Sequence, residues 1–420
     1  MAEAERGMSE TEEMRRIETQ VREHCAREQL FLAATSEHPL PVAAAVSGGA
    51  DSMALLLILK KLAPSLHLQL FACHVNHCLR GQASDRDEVF VRAECARLGV
   101  PLRVFSARDV ANEIPSHAGE DWARSVRYLC FDRLFEEGIS LVATAHTVTD
   151  QAETLLFRLA RGTGLHGAGG IRPGRDRFVR PLLMLQRTET ERYCTLAGQS
   201  WVTDESNLSD DYARNRLRHY ALPALAAANS AAERNLGRFC EKAARIDEYL
   251  SDKAQQLLEQ AAQAAESSPQ SRTAEAVYAL SVLQAADFLI LEYAIHKLVS
   301  PVRDAEEKYI RLLCELVQQG SGAVQLRPEV RFCAGKGLLW KENDQSVSER
   351  LPISEQEQAF STQIDREYHM ETGFVLRSWI KEKPFCEKTQ VVHKKDLKNQ
   401  ADYAKIAVSY PALVLRTRRS

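Results

Sequence analysis

No Cys-x-x-Cys pair occurs in the 420 residues, although there are ten cysteines. Scattered singly, they read as reduced thiols of a cytoplasmic protein, and neither a zinc site nor an iron–sulfur cluster is expected. No apolar run approaches the ~20 residues of a membrane span, so no membrane is expected among the partners. The opening residues are charged and hold no apolar core of about 7–15 residues, which argues against a secretory signal. Lysine is absent between Lys61 and Lys242, and no Walker A loop occurs there, since that loop needs a lysine after its last glycine. What is present, 45% hydrophobic and 26% charged residues, fits a globular protein of two or three domains. The net charge of −3 is unevenly spread. Residues 1–40 carry nine acids and five bases, whereas residues 377–420 carry eleven Lys or Arg and four Asp or Glu. A basic tail of that kind suits either a polyanion partner or a solvated surface.

Chemistry concentrates first at Val42–Ser52. A short apolar run ends in Ser47-Gly48-Gly49-Ala50-Asp51-Ser52, and a long apolar run without glycine or proline begins at Met53. That pattern is strand, tight loop, helix. Gly48 and Gly49 leave no side chain in a ligand's way. A helix start offers unpaired N–H groups and partial positive charge, both of which favour phosphate. Ser47 and Ser52 add hydroxyls. Asp51 would repel a phosphate unless a cation lay between them, so the loop reads as a pyrophosphate cradle with Asp51 aimed at Mg²⁺. The plainer reading is a strand-to-helix turn capped by Asp51 or Ser52.

Periodicity predicts a frayed acidic extension over residues 1–13 and an amphipathic helix from Ile17 to Phe31. Strands follow at Leu68–Val75, Pro101–Phe105 and Leu141–Ala143, with helices over Ser52–Leu62, Ser84–Leu98, Glu120–Glu137 and Asp150–Leu159. Strands alternating with helices give a doubly wound parallel α/β sheet whose ligand sits beyond the strands' carboxyl ends. Ser47, His74 and His146 each fall at such an end. Residues 221–319 turn rich in Ala, Glu and Gln and read as a helical region. Residues 320–420 read as a small α+β domain, with strands near Val324–Leu326, Val330–Phe332, Gly337–Trp340 and Phe374–Ile380.

Three further segments carry chemistry. Asp150 and Glu153, three apart at a helix start, share a face and could bind metal or orient a nucleophile. They also suit helix capping, with Asp150 as cap and Glu153 its box partner. Arg124 and Arg127, three apart on a helix, suit a phosphate or an ordinary surface. Arg214, Arg216 and Arg218, alternating with Asn215 and followed by His219, suit phosphate contacts and stacking on unpaired RNA bases, or a basic surface segment.

Taken in order from about Val46 to Leu225, these segments resemble the bacterial tRNA(Ile)-lysidine synthetase family, of the PP-loop, N-type ATP pyrophosphatase superfamily. The resemblance implies a PP-loop domain over 14–220. It implies that ATP adenylates the wobble cytidine of an isoleucine tRNA with a CAU anticodon, and that free lysine then displaces AMP to give lysidine. It implies that Ser47, Gly48, Gly49, Ala50, Asp51 and Ser52 hold ATP, with Asp51 and Asp150 facing Mg²⁺; His74 and His146, from their places at strand ends, are expected to join the nucleotide site. Asp150 and Glu153 would handle metal or lysine, Arg124 or Arg127 would lie near the nucleotide, and Arg214 or Arg216 would act on the reacting intermediate. It leaves a homodimer open. Two departures stand out. Thr147 replaces the second histidine and Thr149 the first aspartate of the family's Ala-His-His-x-Asp-Asp-Gln-Ala-Glu-Thr. The sequence also stops at Ser420, short of a Gly-Asp and further segment usual in the family, which implies an incomplete C-terminal module. The alternatives are a PP-loop tRNA thiolase, disfavoured by the missing Cys-x-x-Cys, and a non-catalytic RNA-binding remnant.

Overall fold

The computed structural model describes residues 9–110, 115, 119–203, 213–266, 276–301, 307–328 and 330–343, and the strand backbones of 367–369, 374–378 and 413–417. By their contacts the residues divide into two compact units, Met1–Lys253 and Ala254–Ser420.

The first helix, α1 (Glu10–Arg27), opens on a capping box in which the Glu12 N–H donates to the Ser9 hydroxyl and the Ser9 N–H donates to the Glu12 carboxylate. The extension expected over 1–13 is therefore helical from Glu10. The Ser-x-x-Glu spacing and the acids of the first turn favour a helix start there, and Met14 packs on the core. Then come β1 (Leu40–Ala45), α2 (Ala50–Leu62), β2 (Leu68–Asn76), α3 (Gln82–Leu98), β3 (Leu102–Ser106), α4 (Ala107–Val110), α5 (Glu120–Glu136) and β4 (Leu141–Ala143). They are followed by α6 (Val148–Arg161), α7 (Leu165–Ala168), β5 (Gly174–Arg175), β6 (Phe178–Val179), α8 (Arg187–Leu196), α9 (Ala213–Arg216), a π-helical turn at Leu217–Ala221, α10 (Leu222–Ala228) and the long α11 (Ala232–Ala265).

The sheet runs β3-β2-β1-β4-β6-β5. Its first five strands are parallel, and β5 folds back antiparallel on β6. Strand β1 is central, with Ala44 opposite Ala72 on one side and Ala143 on the other. One sheet face buries Ile17 and Val21 of α1, Met53 and Leu56 of α2, Val91 of α3 and Tyr193 of α8. The other buries Val126, Phe131 and Leu134 of α5 against Cys73 and Val142. Helices on both faces explain why β1 and β4 read as unbroken apolar runs. The order reverses at β1, because β2 and β3 lie to one side and β4 to the other. The crevice for a ligand therefore opens between the carboxyl ends of β1 and β4.

Residues 221–253, expected within a helical region beginning at 221, lie in the first unit. Leu236, Cys240 and Ala243 of α11 pack on Leu155 and Ala168, which ties this half of the helix to α6. In the second unit, β7 (Ala276–Ala279) leads to α12 (Leu280–Gln284), α13 (Phe288–Val299), α14 (Glu307–Gln319), β8 (Gly322–Arg327), β9 (Val330–Gly335) and β10 (Leu338–Asn343). These form an antiparallel sheet, β7-β10-β9-β8, around a core of Leu283, Leu291, Ile295, Leu313, Val317, Phe332 and Leu339. Three further strands, β11 (Glu367–His369), β12 (Phe374–Ser378) and β13 (Leu413–Thr417), make a separate antiparallel sheet. Most of the basic segment 377–420 lies outside the described residues.

Candidate active site

The loop after β1 is open at its mouth, since Ser47 is exposed and Gly49 partly so. Gly48 sits at φ +99, where a side chain would be strained. A Cβ there would stand at ordinary contact distance, 3.4–3.6 Å, from Val91, Phe90 and Val202, so the backbone angle rather than space requires glycine. Gly49 precedes α2 and offers no side-chain cap, so the first N–H groups of α2 are left for an anion. The N–H groups of Ser47 and Gly48 both donate to Ser52 Oγ at 3.2 Å, and that hydroxyl donates to the Gly49 carbonyl at 2.8 Å. Ser52 thus pulls the loop into a ring with the backbone donors on its concave side. Outside it, the Val202 N–H donates to the Gly48 carbonyl at 2.9 Å.

Asp51 is bound on both oxygens. Thr190 Oγ1 donates to Oδ1 at 2.5 Å, and Arg187 Nη2 stands 3.3 Å from Oδ2. Burial pushes its carboxyl above the usual range; Arg187 and Thr190 pull it back, and Asp150 and Glu191 push it further up. Asp150 and Asp51 therefore feel each other across the crevice, as two metal-facing acids would. Mg²⁺ takes one or two protein carboxylates and completes its shell with phosphate oxygens and water. Asp51 and Asp150 fit such an ion, which would relieve their repulsion beside a cradle built for anions. Among the described residues no three His, Cys, Asp or Glu side chains converge as a ready-made metal cage, so a substrate's phosphates would have to supply the rest.

Helix α6 carries the second half of the site. Its cap is Thr147, whose hydroxyl accepts from the Asp150 N–H at 3.4 Å while Asp150 Oδ2 accepts from the Thr147 N–H at 2.7 Å. The capping box is thus Thr147 with Asp150, one turn earlier than the expected pairing of Asp150 with Glu153. The substitution at 147 supplies the cap. Glu153 is freed for another partner, and Arg218 reaches it with two bonds, Nε to Oε1 at 2.5 Å and Nη2 to Oε2 at 3.0 Å. Arg218 Nη2 also lies 3.8 Å from Asp150 Oδ1. Burial pushes the Glu153 carboxyl up, and Arg218 pulls it back. Arg214 and Arg216 precede Arg218 on the same segment; Arg214 lies 5.9 Å from the Phe157 ring centre.

His74, at the end of β2, donates from Nδ1 to the Val46 carbonyl at 2.8 Å and holds the base of the loop. Burial pushes its imidazole down. His146, past β4, bonds Thr144 Oγ1 through Nδ1 at 2.9 Å. Burial pushes it down to about 4, with Asp150 opposing and Arg180, Arg124 and Arg127 adding to the fall. Both histidines are neutral at pH 7. Arg124 lies over the Tyr128 ring at 5.3 Å and donates to its hydroxyl at 3.3 Å. The structure thus sets Asp150 within electrostatic reach of Asp51, His146 and Glu153, and Arg124 and Arg127 within reach of His146.

Arg187, Thr190 and Glu233 carry no motif, so spacing did not single them out for this site; Arg218 was read as one of three alternating arginines suited to RNA, and the structure pairs it with Glu153 instead. Thr149, where the resembled pattern has an aspartate, donates to Glu233 Oε2 at 2.7 Å and accepts from the Arg187 N–H at 3.3 Å. It ties the start of α11 to the start of α8, and through Arg187 to Asp51. Thr149→Asp should set two carboxylates against each other and lower stability by about 1–3 kcal/mol. Adding Glu233→Gln should recover most of that in thermal melts; a double variant no more stable than the single one would show that Glu233 is not the opposing group.

A glycine ring after the central strand, with an acid at its mouth, defines the class. Residues 18–225, just under half of the chain, match the family model of the PP-loop domain, and this part of the chain is a domain of that ATP-binding kind. Within it, the chain is 42% identical over 187 residues to the tRNA(Ile)-lysidine synthase of Clostridium perfringens, covering 43% of this chain and 39% of that one. It is 40% identical over 226 residues to that of Bacteroides thetaiotaomicron, covering 52% and 50%. The aligned chain spans half or less of the length of these relatives. A solved U34-tRNA thiolase NcsA from Methanococcus maripaludis with its [4Fe-4S] cluster superposes with a TM-score of 0.48 at 16% identity, covering 57% of this chain and 81% of that one.

Proposed function

We propose that this protein uses ATP to ligate free lysine to C2 of the wobble cytidine of an isoleucine tRNA with a CAU anticodon, through an adenylated cytidine, releasing pyrophosphate and AMP. The observation that carries the reading is the meeting of an anion-binding loop with two acids and an arginine, Asp150, Glu153 and Arg218, at one crevice. The names of its tRNA(Ile)-lysidine synthase relatives support an isoleucine tRNA as substrate.

Each group then has a task. The ring of Ser47–Ser52 and the start of α2 bind the triphosphate. A bound Mg²⁺, held by Asp51 and Asp150, would offset phosphate charge during pyrophosphate departure. Arg187, paired to Asp51 and 35% exposed, and Arg124 and Arg127 add positive charge where negative charge grows. The cytosine C2 oxygen, a poor leaving group, departs as AMP once adenylated. Lysine's ammonium must lose a proton before attack. Once pyrophosphate and the metal have left, Asp150 would be the acid to receive it: its Oδ2 is committed to Thr147, and among the described residues its Oδ1 meets Arg218 at 3.8 Å. Glu153, gripped twice by Arg218, holds that arginine in place. Sulfur transfer fits less well. Eight of nine described cysteines are buried, and burial pushes their thiols up, Cys194 to about 12, which suppresses the reactive thiolate.

Purified protein with ATP, Mg²⁺ and labelled lysine should label isoleucine tRNA bearing CAU and spare methionine tRNA, which carries the same three bases. No label on either, with tRNA-dependent ATP–pyrophosphate exchange intact, would move the chemistry to another acceptor. Loss of exchange as well would leave an RNA-binding remnant. Such an enzyme would work in the cytoplasm, where tRNA, ATP and lysine meet.

A further inference from the structure

We infer that a recess one turn beyond the acid pair receives an unpaired base of the RNA, next to the reacting nucleotide; this rests on the ligase reading above. Phe157 follows Glu153 by four residues and Arg161 follows Phe157 by four, so the three share one face of α6. Past the acids, that face meets the π-helical turn. Here Phe157, Arg161, Arg216, Leu217 and Tyr220 enclose an open recess of about 500 Å³ with no acidic residue among those lining it.

Its chemistry is that of a stacking site. Phe157 lines the recess, with the Arg161 guanidinium over its ring at 5.4 Å and the Arg214 guanidinium at 5.9 Å from the ring centre. Tyr220 forms a wall and is 62% exposed, its ring edge-on to His219 at 6.4 Å. Exposed aromatic rings and guanidinium planes are the surfaces on which unpaired bases stack, and the arginines also meet the backbone phosphates. A protein partner with an acidic face would find the same charge. What favours a base is the pairing of two aromatic rings, Phe157 and Tyr220, with the planar cations of Arg161 and Arg216 around one recess.

Placement supplies the second argument. The π turn widens the backbone between α9 and α10, a feature frequent at functional sites. It sends Arg218 to Asp150 and Glu153 while Tyr220, two residues on, faces the recess. Four residues of helix separate Glu153 from Phe157, about 6 Å of rise, which is the scale of one nucleotide step. An RNA strand that presents its reacting cytidine to the acids thus brings a neighbour to the recess.

The test uses the full chain and an anticodon stem–loop RNA carrying CAU, with a set of copies each holding one abasic position in the loop. Tyr220→Ala should weaken binding of the intact stem–loop about tenfold, and Tyr220→Phe, which keeps the ring, should bind like the original. One abasic position next to the reacting cytidine should weaken the original protein by a similar factor and cost Tyr220→Ala nothing further. Arg161→Ala should show the same coupling in smaller measure. If Tyr220→Ala loses the same factor against every abasic RNA, or loses none, no base occupies the recess and the inference fails. Lysine labelling by the unaltered protein is read separately, so the ligase reading can fail while the coupling stands, and the reverse.

Discussion

Asp51→Ala should lower tRNA-dependent ATP–pyrophosphate exchange by about 10²–10³-fold and leave RNA affinity nearly unchanged. The expectation follows from where the carboxylate stands. It lies at the mouth of a phosphate-binding ring, opposite Asp150, and touches none of the groups proposed to meet RNA. Its structural contacts are replaceable: Thr190 Oγ1 also donates to the Arg187 carbonyl at 2.7 Å, and Arg187 has Glu191 at 3.8 Å. Asp51→Asn separates charge from shape, because the amide oxygen can still accept from Thr190. The sign of its stability effect is fixed by the carboxyl's raised pKa. A carboxyl raised in the folded state binds its proton more readily folded than unfolded. Its stabilising contribution is therefore present at low pH and lost as pH climbs from the ordinary carboxylate range through the folded value. At pH 7 the charge is a burden that the asparagine variant lacks, so that variant should melt no lower than the original while exchange is lost. Proteins commonly keep such strained acids where function needs them. An asparagine variant with full exchange, or an alanine variant that loses RNA binding in proportion to exchange, would make Asp51 a mere cap.

The parts of this site legible in the sequence are those whose partners lie close by in the chain. Ser47–Ser52 could be read because strand, glycine turn and helix are consecutive, and the alternation of strands and helices gave the parallel sheet. The β5–β6 hairpin, two residues to a strand, is too short to leave a pattern. Thr147 looked like a lost histidine, and only the geometry shows it as a helix cap. Spacing gave Asp150 and Glu153 a shared face and could not say which would cap and which would pair. Arg187 and Thr190 lie far along the chain from Asp51, as do Arg218 from Glu153 and Glu233 from Thr149. Nothing local distinguishes Arg187, Thr190 or Glu233 from other polar residues on helices, and although Arg218 belongs to the arginine-rich segment, tertiary packing alone brings it to Glu153. The same holds for Gln151 in the motif's centre. It grips the glycine-rich loop through the Ile171 N–H and carbonyl, both at 2.7 Å, and so serves the fold.

Arg218→Ala should be the most destabilising single change at the site. Glu153 is 3% exposed, and the guanidinium meets both of its oxygens. Removing one member of a buried pair leaves the other's charge without compensation, at a cost of about 3–5 kcal/mol. For a unit of this size that lowers the melting temperature by about 6–20 °C. Glu153→Gln in the same chain removes the stranded charge, so the double variant should recover much of the loss, whereas a surface pair would give a small and additive effect. The pH dependence distinguishes the two explanations further. Burial already raises the Glu153 carboxyl, and Arg218 is the principal group holding it down. Without Arg218 the folded-state pKa moves higher, so the variant should be least destabilised at acid pH, where the carboxyl can take up a proton, and lose stability as pH rises from the ordinary carboxylate range through the folded value. The Glu153→Gln double variant should be flat over that range. A melting profile of Arg218→Ala that does not change with pH would mean that the lost contact is packing rather than charge. The proposal that Glu153 anchors the arginine, leaving Asp150 to meet lysine, would then lose its footing.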